Sequence, residues 1–367
     1  MLKKRKLLFS KKGQFVNSTG LWNYKNEVLE VVPFFKYLGL NFSANGSFAH
    51  HFKESVKSAK KALYFLKNNL NKNPEIIPKM QLELFDSTVK PILFYGCEVW
   101  GFCKADSLER FYLSFLKGLL CVKQSTPNCF IYGELGVFPL IIERKLRILK
   151  YWFKILKSNE NSYLRKMYNE LLLLSESSPE KVTWVTLFRD MICQHGFGYV
   201  WFQQHVENEH NFLRIFEKRL KDIFLQNWNV EKEAISDFRL FKKIKQSFAF
   251  ENYLNISNKT FRIAITKVRL SSHLFFIERG RWGKPKVNAV DRKCDLCNTL
   301  EDEYHCLIEC PRFVEERKHC LPENLILRPS MYEFVNLMKC NNTNFLNKLG
   351  LLCYKVMKMY KSHFLVE

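Results

Sequence analysis

The sequence predicts a mainly α-helical protein with a short β-hairpin near its N-terminus and a small Cys/His knuckle toward its C-terminus. Three observations carry this. Apolar residues recur at steps of three and four through most of the chain, β-patterned runs occur only before residue 46, and four soft metal ligands gather between Cys294 and Cys310. The chain has 367 residues, 47% of them hydrophobic, with only 14 Gly and 11 Pro, so it is long enough for two or more domains and too apolar for a disordered tail.

After a basic start, MLKKRKLLFSKKG, the runs Glu27–Val32 and Phe35–Phe42 pattern as short strands, with turn residues at Asn45-Gly46. Together they predict a β-hairpin. Ser47 is placed to cap a helix whose apolar positions are Phe48, Phe52, Val56, Ala59, Leu63, Leu66 and Leu70. A second helix is expected from Pro78, whose fixed φ suits a first helical position, through Leu82, Phe85 and Val89 until Pro91 kinks or ends it. A third begins after Asp106 or Ser107 and buries Leu108, Phe111, Tyr112, Phe115, Leu116 and Leu119. Three amphipathic helices with short connections make a compact bundle.

Leu140 to Leu156 forms a further amphipathic helix, basic on its polar side. The polar run Ser175–Glu180, which contains Pro179, is the best linker candidate, and Gly280-Arg281-Trp282-Gly283 precedes the Cys/His segment. These features divide the chain into 1–46, 47–174, 181–280, 281–325 and 326–367, the last a helical tail. No internal repeat is present.

Lys and Arg number 58 against 36 Asp and Glu, a formal charge of +22. So positive a field favours polyanionic partners: RNA, DNA or an anionic membrane surface. No apolar run approaches the roughly 18 residues that span a bilayer, and the N-terminus does not pattern as a signal peptide. An intracellular, reducing setting is therefore expected, where clustered Cys and His read as metal ligands in place of disulfides. The eight cysteines outside the cluster, such as Cys97, Cys121 and Cys193, are scattered and are expected in the core.

Within the cluster, Cys294, Cys297, His305 and Cys310 fall in the order C-x2-C-x7-H-x4-C. Three thiolates and one imidazole suit zinc, which holds four such ligands tetrahedrally at about 2.0–2.3 Å. Four protein ligands leave no open position, so the expected role is structural, the ion replacing a core that so short a segment cannot build. The same residues also fit ordinary thiols beside a surface His. In an unbroken helix, moreover, His305 would point about 140° away from Cys310. Either the helix ends before Cys310 or Cys306 takes the place of His305, with His319 and Cys320 in reserve.

On the first long helix, Lys53, Lys57, Lys60 and Lys67 each follow a residue of the apolar stripe, with Lys61 beside them. Such a row can track a phosphate backbone. It also fits a solvated face. Catalysis leaves no signature of its own: the eight aspartates are dispersed, no Asp pair is adjacent, and the acidic run Glu301-Asp302-Glu303 lies inside the metal loop. Two-metal chemistry needs closely placed carboxylates. Neither a Gly-rich phosphate loop nor a Gly-x-Ser-x-Gly elbow is present.

Several segments, in order, resemble the end of the palm, the thumb and the C-terminal region of non-LTR (LINE-type) retrotransposon reverse transcriptases. They are Phe35-Lys36-Tyr37-Leu38-Gly39 before a long basic helix, Pro91–Gly101, Gly133–Leu140, Arg269-Leu270-Ser271-Ser272-His273 and Glu278-Arg279-Gly280-Arg281-Trp282. The Cys294–Cys310 run is similar to that family's C-terminal Cys-Cys-His-Cys zinc knuckle. The likeness spans about residues 1 to 320.

The resemblance implies a thumb-like helical bundle from Ser47 to Leu120 holding a template–primer duplex through Lys53, Lys57, Lys60, Lys61 and Lys67. It places Tyr37, Leu38 and Gly39 where the primer strand is gripped. It also makes Arg279 and Arg281 nucleic-acid contacts and the knuckle a contact to the element's RNA or to target DNA. Leu7-Leu8-Phe9-Ser10 matches the strand that follows the family's catalytic aspartates, so the chain is expected to lack them and to be inactive alone as an RNA-directed DNA polymerase. The expected locations are nucleus and cytoplasm. A host-adopted protein-interaction module and a degenerate transposon relic are the alternatives.

Overall fold

The computed structural model describes residues 6–7, 23–24, 27–70, 76–178, 180–235, 239–283, 285–326 and 329–364. Leu8–Ser10, most of the basic start and Pro179 lie outside these. The protein is mainly α-helical with a short antiparallel β-hairpin. Two-residue strands β1 (Lys6–Leu7) and β4 (Glu30–Val31) pair in parallel, and β2 (Asn23–Tyr24) pairs antiparallel with β3 (Glu27–Val28). The hairpin itself is β5 (Phe34–Tyr37) against β6 (Leu40–Ser43), in register from Phe34↔Ser43 to Tyr37↔Leu40.

This corrects the expected strands: the chain reverses at Leu38-Gly39, inside the run that patterns as one strand, while Asn45-Gly46 forms a turn as expected, the Gly46 amide on the Ser43 carbonyl at 3.0 Å. Leu38 and Gly39 both adopt positive φ, 44° and 85°, the requirement of a two-residue hairpin turn whose twist matches its strands. Gly39 meets it freely, and the Tyr95 hydroxyl donates to the Leu38 carbonyl at 2.6 Å. Asn45 receives the Ser43 hydroxyl and the Ser47 amide at the entry to the first helix.

The helices are α1 (Ala49–Leu70), α2 (Pro78–Thr88), α3 (Lys90–Phe94), α4 (Cys97–Trp100), α5 (Asp106–Leu120), α6 (Asn128–Leu135), α7 (Leu140–Lys157) and α8 (Tyr163–Ser177). They continue with α9 (Trp184–Gln194), α10 (Gly198–Gln203), α11 (Glu209–Ala234), α12 (Arg239–Ile244), α13 (Lys259–Arg269), α14 (Phe276–Trp282), α15 (Val314–Cys320), α16 (Met331–Met338) and α17 (Thr343–Phe364). Ser47 does cap α1, its hydroxyl accepting the Ala49 amide at 3.2 Å. Pro91 sits at the start of α3, and the break from α2 falls at Val89. α8 runs on through Ser177, into the polar stretch that patterns as a linker.

Two compact units result, each assembled from separated segments. The first comprises residues 1–66, 85–111 and 139–223. Its core is aromatic: Trp152 stacks on Phe188 at 4.8 Å and Trp184 on Phe188 at 5.4 Å. Trp152 Nε1 donates to the Tyr168 hydroxyl, which donates to Gln204. Helix α7 begins at Pro139, which has no side chain to cap it, and Glu109 on α5 supplies the acceptor. Its two carboxylate oxygens receive the Leu140 and Ile141 amides at 3.1 and 2.8 Å, covering donors that a helix start leaves open.

The second unit comprises 67–84, 112–138 and 224–367. Here α13 packs along α17, whose buried Leu349, Leu352, Cys353, Val356 and Tyr360 recur at helical spacing. Of the eight scattered cysteines, Cys97, Cys129, Cys320 and Cys353 are buried as expected, Cys103 and Cys340 are half-buried, and Cys121 and Cys193 are exposed. Cys121 follows the end of α5 with φ 54°. Cys193 lies in the last turn of α9, off the face that buries Val185, Phe188 and Ile192.

Candidate metal centre

Cys294 and Cys297 occupy a tight reversal closed by the Cys294 amide on the Thr299 carbonyl, 2.8 Å, and the Asn298 amide on the Cys294 carbonyl, 2.9 Å. Asn298 takes the left-handed conformation that this turn needs. Lys293 and Leu300 pair across its base as an isolated bridge. His305 and Cys310 come from a single π turn, His305–Glu309, closed by the Cys310 amide on the His305 carbonyl at 2.8 Å. That turn answers the geometric conflict in the sequence. An i→i+5 bond winds the backbone more loosely than an α-helix, bringing Cys310 round toward His305.

One ligand atom from each of Cys294, Cys297, His305 and Cys310 lies within 4.8 Å of the others. The Cys294–Cys310 and Cys297–Cys310 sulfur separations are both 4.0 Å. A tetrahedron with metal–sulfur bonds near 2.3 Å has edges of about 3.8 Å, so these two separations stand within a few tenths of an ångström of closure. His305 adds a second indication. Its Nε2 is buried with no hydrogen-bond partner, while Nδ1 faces Thr299 Oγ1 at 3.1 Å and Glu309 at 3.4 Å. Orienting contacts on one ring nitrogen and none on the other are what a metal-binding imidazole requires.

Burial pushes the Cys310 thiol up to about 12, and the neighbouring Cys294 and Cys297 sulfurs add to the effect. A cation would supply the charge that favours the thiolates. The Cys294–Cys297 turn is also pinned to the segment after Cys310, because Arg312 Nη2 donates to both Asp295 oxygens at 2.9 and 2.8 Å and holds that carboxyl below its ordinary range. Cys306 is buried, but neither it nor Cys320 nor the exposed His319 belongs to the group. The four residues can therefore hold a metal as a closed set.

Spacing alone did not reveal how the knuckle is tied to its unit. The run Glu301-Asp302-Glu303 anchors it. Glu301 accepts the Phe276 amide at the start of α14, 2.7 Å, and the Tyr360 hydroxyl from α17. Asp302 accepts the His305 amide at 2.8 Å. Glu303 takes the Ser271 hydroxyl at 3.0 Å and His273 Nε2 at 2.9 Å, the tautomer being set by the Phe275 amide on Nδ1. Each of the three carboxylates is thus engaged in holding structure.

The preceding Arg269 is fully buried and donates to Glu134 at 2.5 and 3.2 Å, to Glu251 at 2.8 Å and to the Met338 carbonyl at 2.7 Å. Lys245, also fully buried, completes the cluster on Glu251. Gly133–Leu140 and Arg269–His273, distant in sequence, meet through this network. A Glu and an Arg embedded in apolar helices were the available signal.

The nucleic-acid candidates separate into three sets. Lys53, Lys57, Lys60, Lys61 and Lys67 are all exposed on α1, whose one acidic residue is Glu54. Tyr37 and Leu38 are exposed at the hairpin tip, 58% and 74%, with Gly39 beside Tyr95. Arg279 and Arg281 are turned to internal contacts: the Arg279 guanidinium lies over Phe276 and Tyr360, and Arg281 donates to both Glu278 oxygens at 3.1 Å. No helix among the described residues is long and apolar enough to cross a membrane. No protein-family model matches the chain, and no curated protein or solved structure matches it.

Proposed function

We propose that this chain is a nucleic-acid-binding protein, built like the thumb and zinc end of a LINE-type reverse transcriptase, without polymerase activity of its own. The observation that carries binding is the exposed lysine face of α1, opposed by a single acid on that helix, in a chain of charge +22. The metal is zinc, on the strength of three thiols and one imidazole at near-tetrahedral separations. Its role is structural, since four protein ligands fill the coordination sphere. RNA and DNA are the partners. The exposed Tyr37 and Leu38 side chains of the hairpin tip are the candidate contacts to a strand.

Binding of a labelled RNA and of a DNA duplex, each titrated across salt concentrations, tests the reading. Five lysines on phosphates should give a log–log slope of about −3.5 to −4.5. A flat salt response, or no binding near 100 mM salt, would favour a protein-interaction module instead. Incubation with primer, template and nucleotides should give no extension, and robust synthesis would overturn the inactive assignment. Zinc analysis of the purified protein should return one equivalent.

A further inference from the structure

Tyr64 stands among the lysines of α1, in a place their spacing did not mark. At about 100° per residue, Lys53, Lys57, Lys60 and Lys61 fall within an arc of about 100°, and Tyr64 projects near its middle. The side chain is 68% exposed. Among the described residues its ring meets no other ring and its hydroxyl no hydrogen-bond partner. Glu54, the one acid of the helix, lies on the flank and reaches Lys57 at 3.8 Å.

The lysines account for a polyanion but not for an aromatic ring held in water at the centre of their row. A duplex turns its bases inward, and a ring there would meet only sugar and phosphate. A single strand exposes base faces, and the combination of a basic track with an aromatic platform is how such strands are held without sequence preference. We infer that this face of α1 takes single-stranded nucleic acid, with Lys53, Lys57, Lys60 and Lys61 on backbone phosphates and Tyr64 stacked on a base. Resting on the nucleic-acid binding proposed above, this narrows the partner to an unpaired strand.

The test compares a labelled thymidine oligonucleotide with a hairpin duplex of the same length, using the full chain. Tyr64→Ala should weaken single-strand binding about 5- to 150-fold, the loss that one base stack of about 1–3 kcal/mol predicts. Duplex binding should change less than about twofold, and Tyr64→Phe should bind like the parent. Lys57→Ala with Lys60→Ala should weaken both and flatten the single-strand salt slope by about 1.4. An oligonucleotide carrying 5-iodouracil should crosslink to Tyr64 by mass spectrometry. Unchanged single-strand affinity in Tyr64→Ala, or equal losses on both probes, would overturn the stacking assignment while leaving a basic binding face. A parent protein that binds neither probe would overturn nucleic-acid binding itself.

Discussion

Replacing Glu134 by Gln should destabilise the second unit severely, and the structure supplies the size. In the parent, two buried cations, Arg269 and Lys245, face two carboxylates, Glu134 and Glu251. Arg269 and Glu134 are both 0% exposed. The variant leaves two cations facing one carboxylate. One uncompensated charge at about 4 Å, in surroundings with an effective dielectric constant near 20, amounts to about 4 kcal/mol. Breaking one partner of a buried pair costs about 3–5 kcal/mol. Hydrogen exchange of the α13 amides, read by mass spectrometry, should lose about two to three and a half decades of protection, since each decade is about 1.4 kcal/mol. Arg269→Met inverts the imbalance and also strips the Met338 carbonyl of its donor. The double variant Glu134→Leu/Arg269→Met restores the balance, leaving Lys245 with Glu251, and should be better protected than Arg269→Met alone. If Glu134→Gln loses less than tenfold protection, or the double variant is worse than both single ones, charge balance is not what holds this cluster.

Other expectations follow from single sites. His305→Ala should abolish stoichiometric zinc uptake and loosen residues 292–325, read by metal analysis and limited proteolysis, whereas Cys306→Ser should keep the metal; the opposite result would reassign the ligand. Burial raises the Glu109 carboxyl above its ordinary value, against the pull of the Leu140 and Ile141 amides and Arg144. A raised folded value means a stability contribution present below the ordinary carboxylate pKa, about 4.3, and lost as pH rises through the folded value. Glu109→Gln should therefore flatten the decline in first-unit stability just above that range, measured by thermal melts across pH. Gly136→Ala should destabilise by several kcal/mol in a denaturant titration. Its φ is 61°, and an added Cβ would stand 2.5 Å from the Phe250 amide nitrogen and 2.7 Å from the Ala249 carbonyl carbon.

The parts legible in the sequence were those written in local periodicity. Phe52, Ala59 and Leu63 announce the buried face of α1, and Cys294-x2-Cys297 announces a ligand-bearing turn. What stayed hidden depends on partners far along the chain. The hairpin turn at Leu38 is stabilised by Tyr95, so a strand pattern running through it gave no warning. Asn45-Gly46, a good turn signal, serves a helix entry. No spacing rule ties Glu303 to His273 or Glu134 to Arg269, because burial sets those pairs. Tyr64 carries no signal in the sequence, since an aromatic on a helix fits a core position equally well, and its exposure is a property of the fold.

The π turn at His305–Glu309 has a bearing on how freely this ligand pattern can vary. A π turn is an α turn that has taken in one residue. Removing one residue between His305 and Cys310 would let the segment relax to ordinary pitch with H-x3-C, whose ends share a face at i and i+4. Two spellings of the second ligand pair, four intervening residues on a wide turn or three on a narrow one, can therefore describe a single coordination geometry. A one-residue gap at this point in an otherwise similar chain would be a change of winding, with the metal site intact.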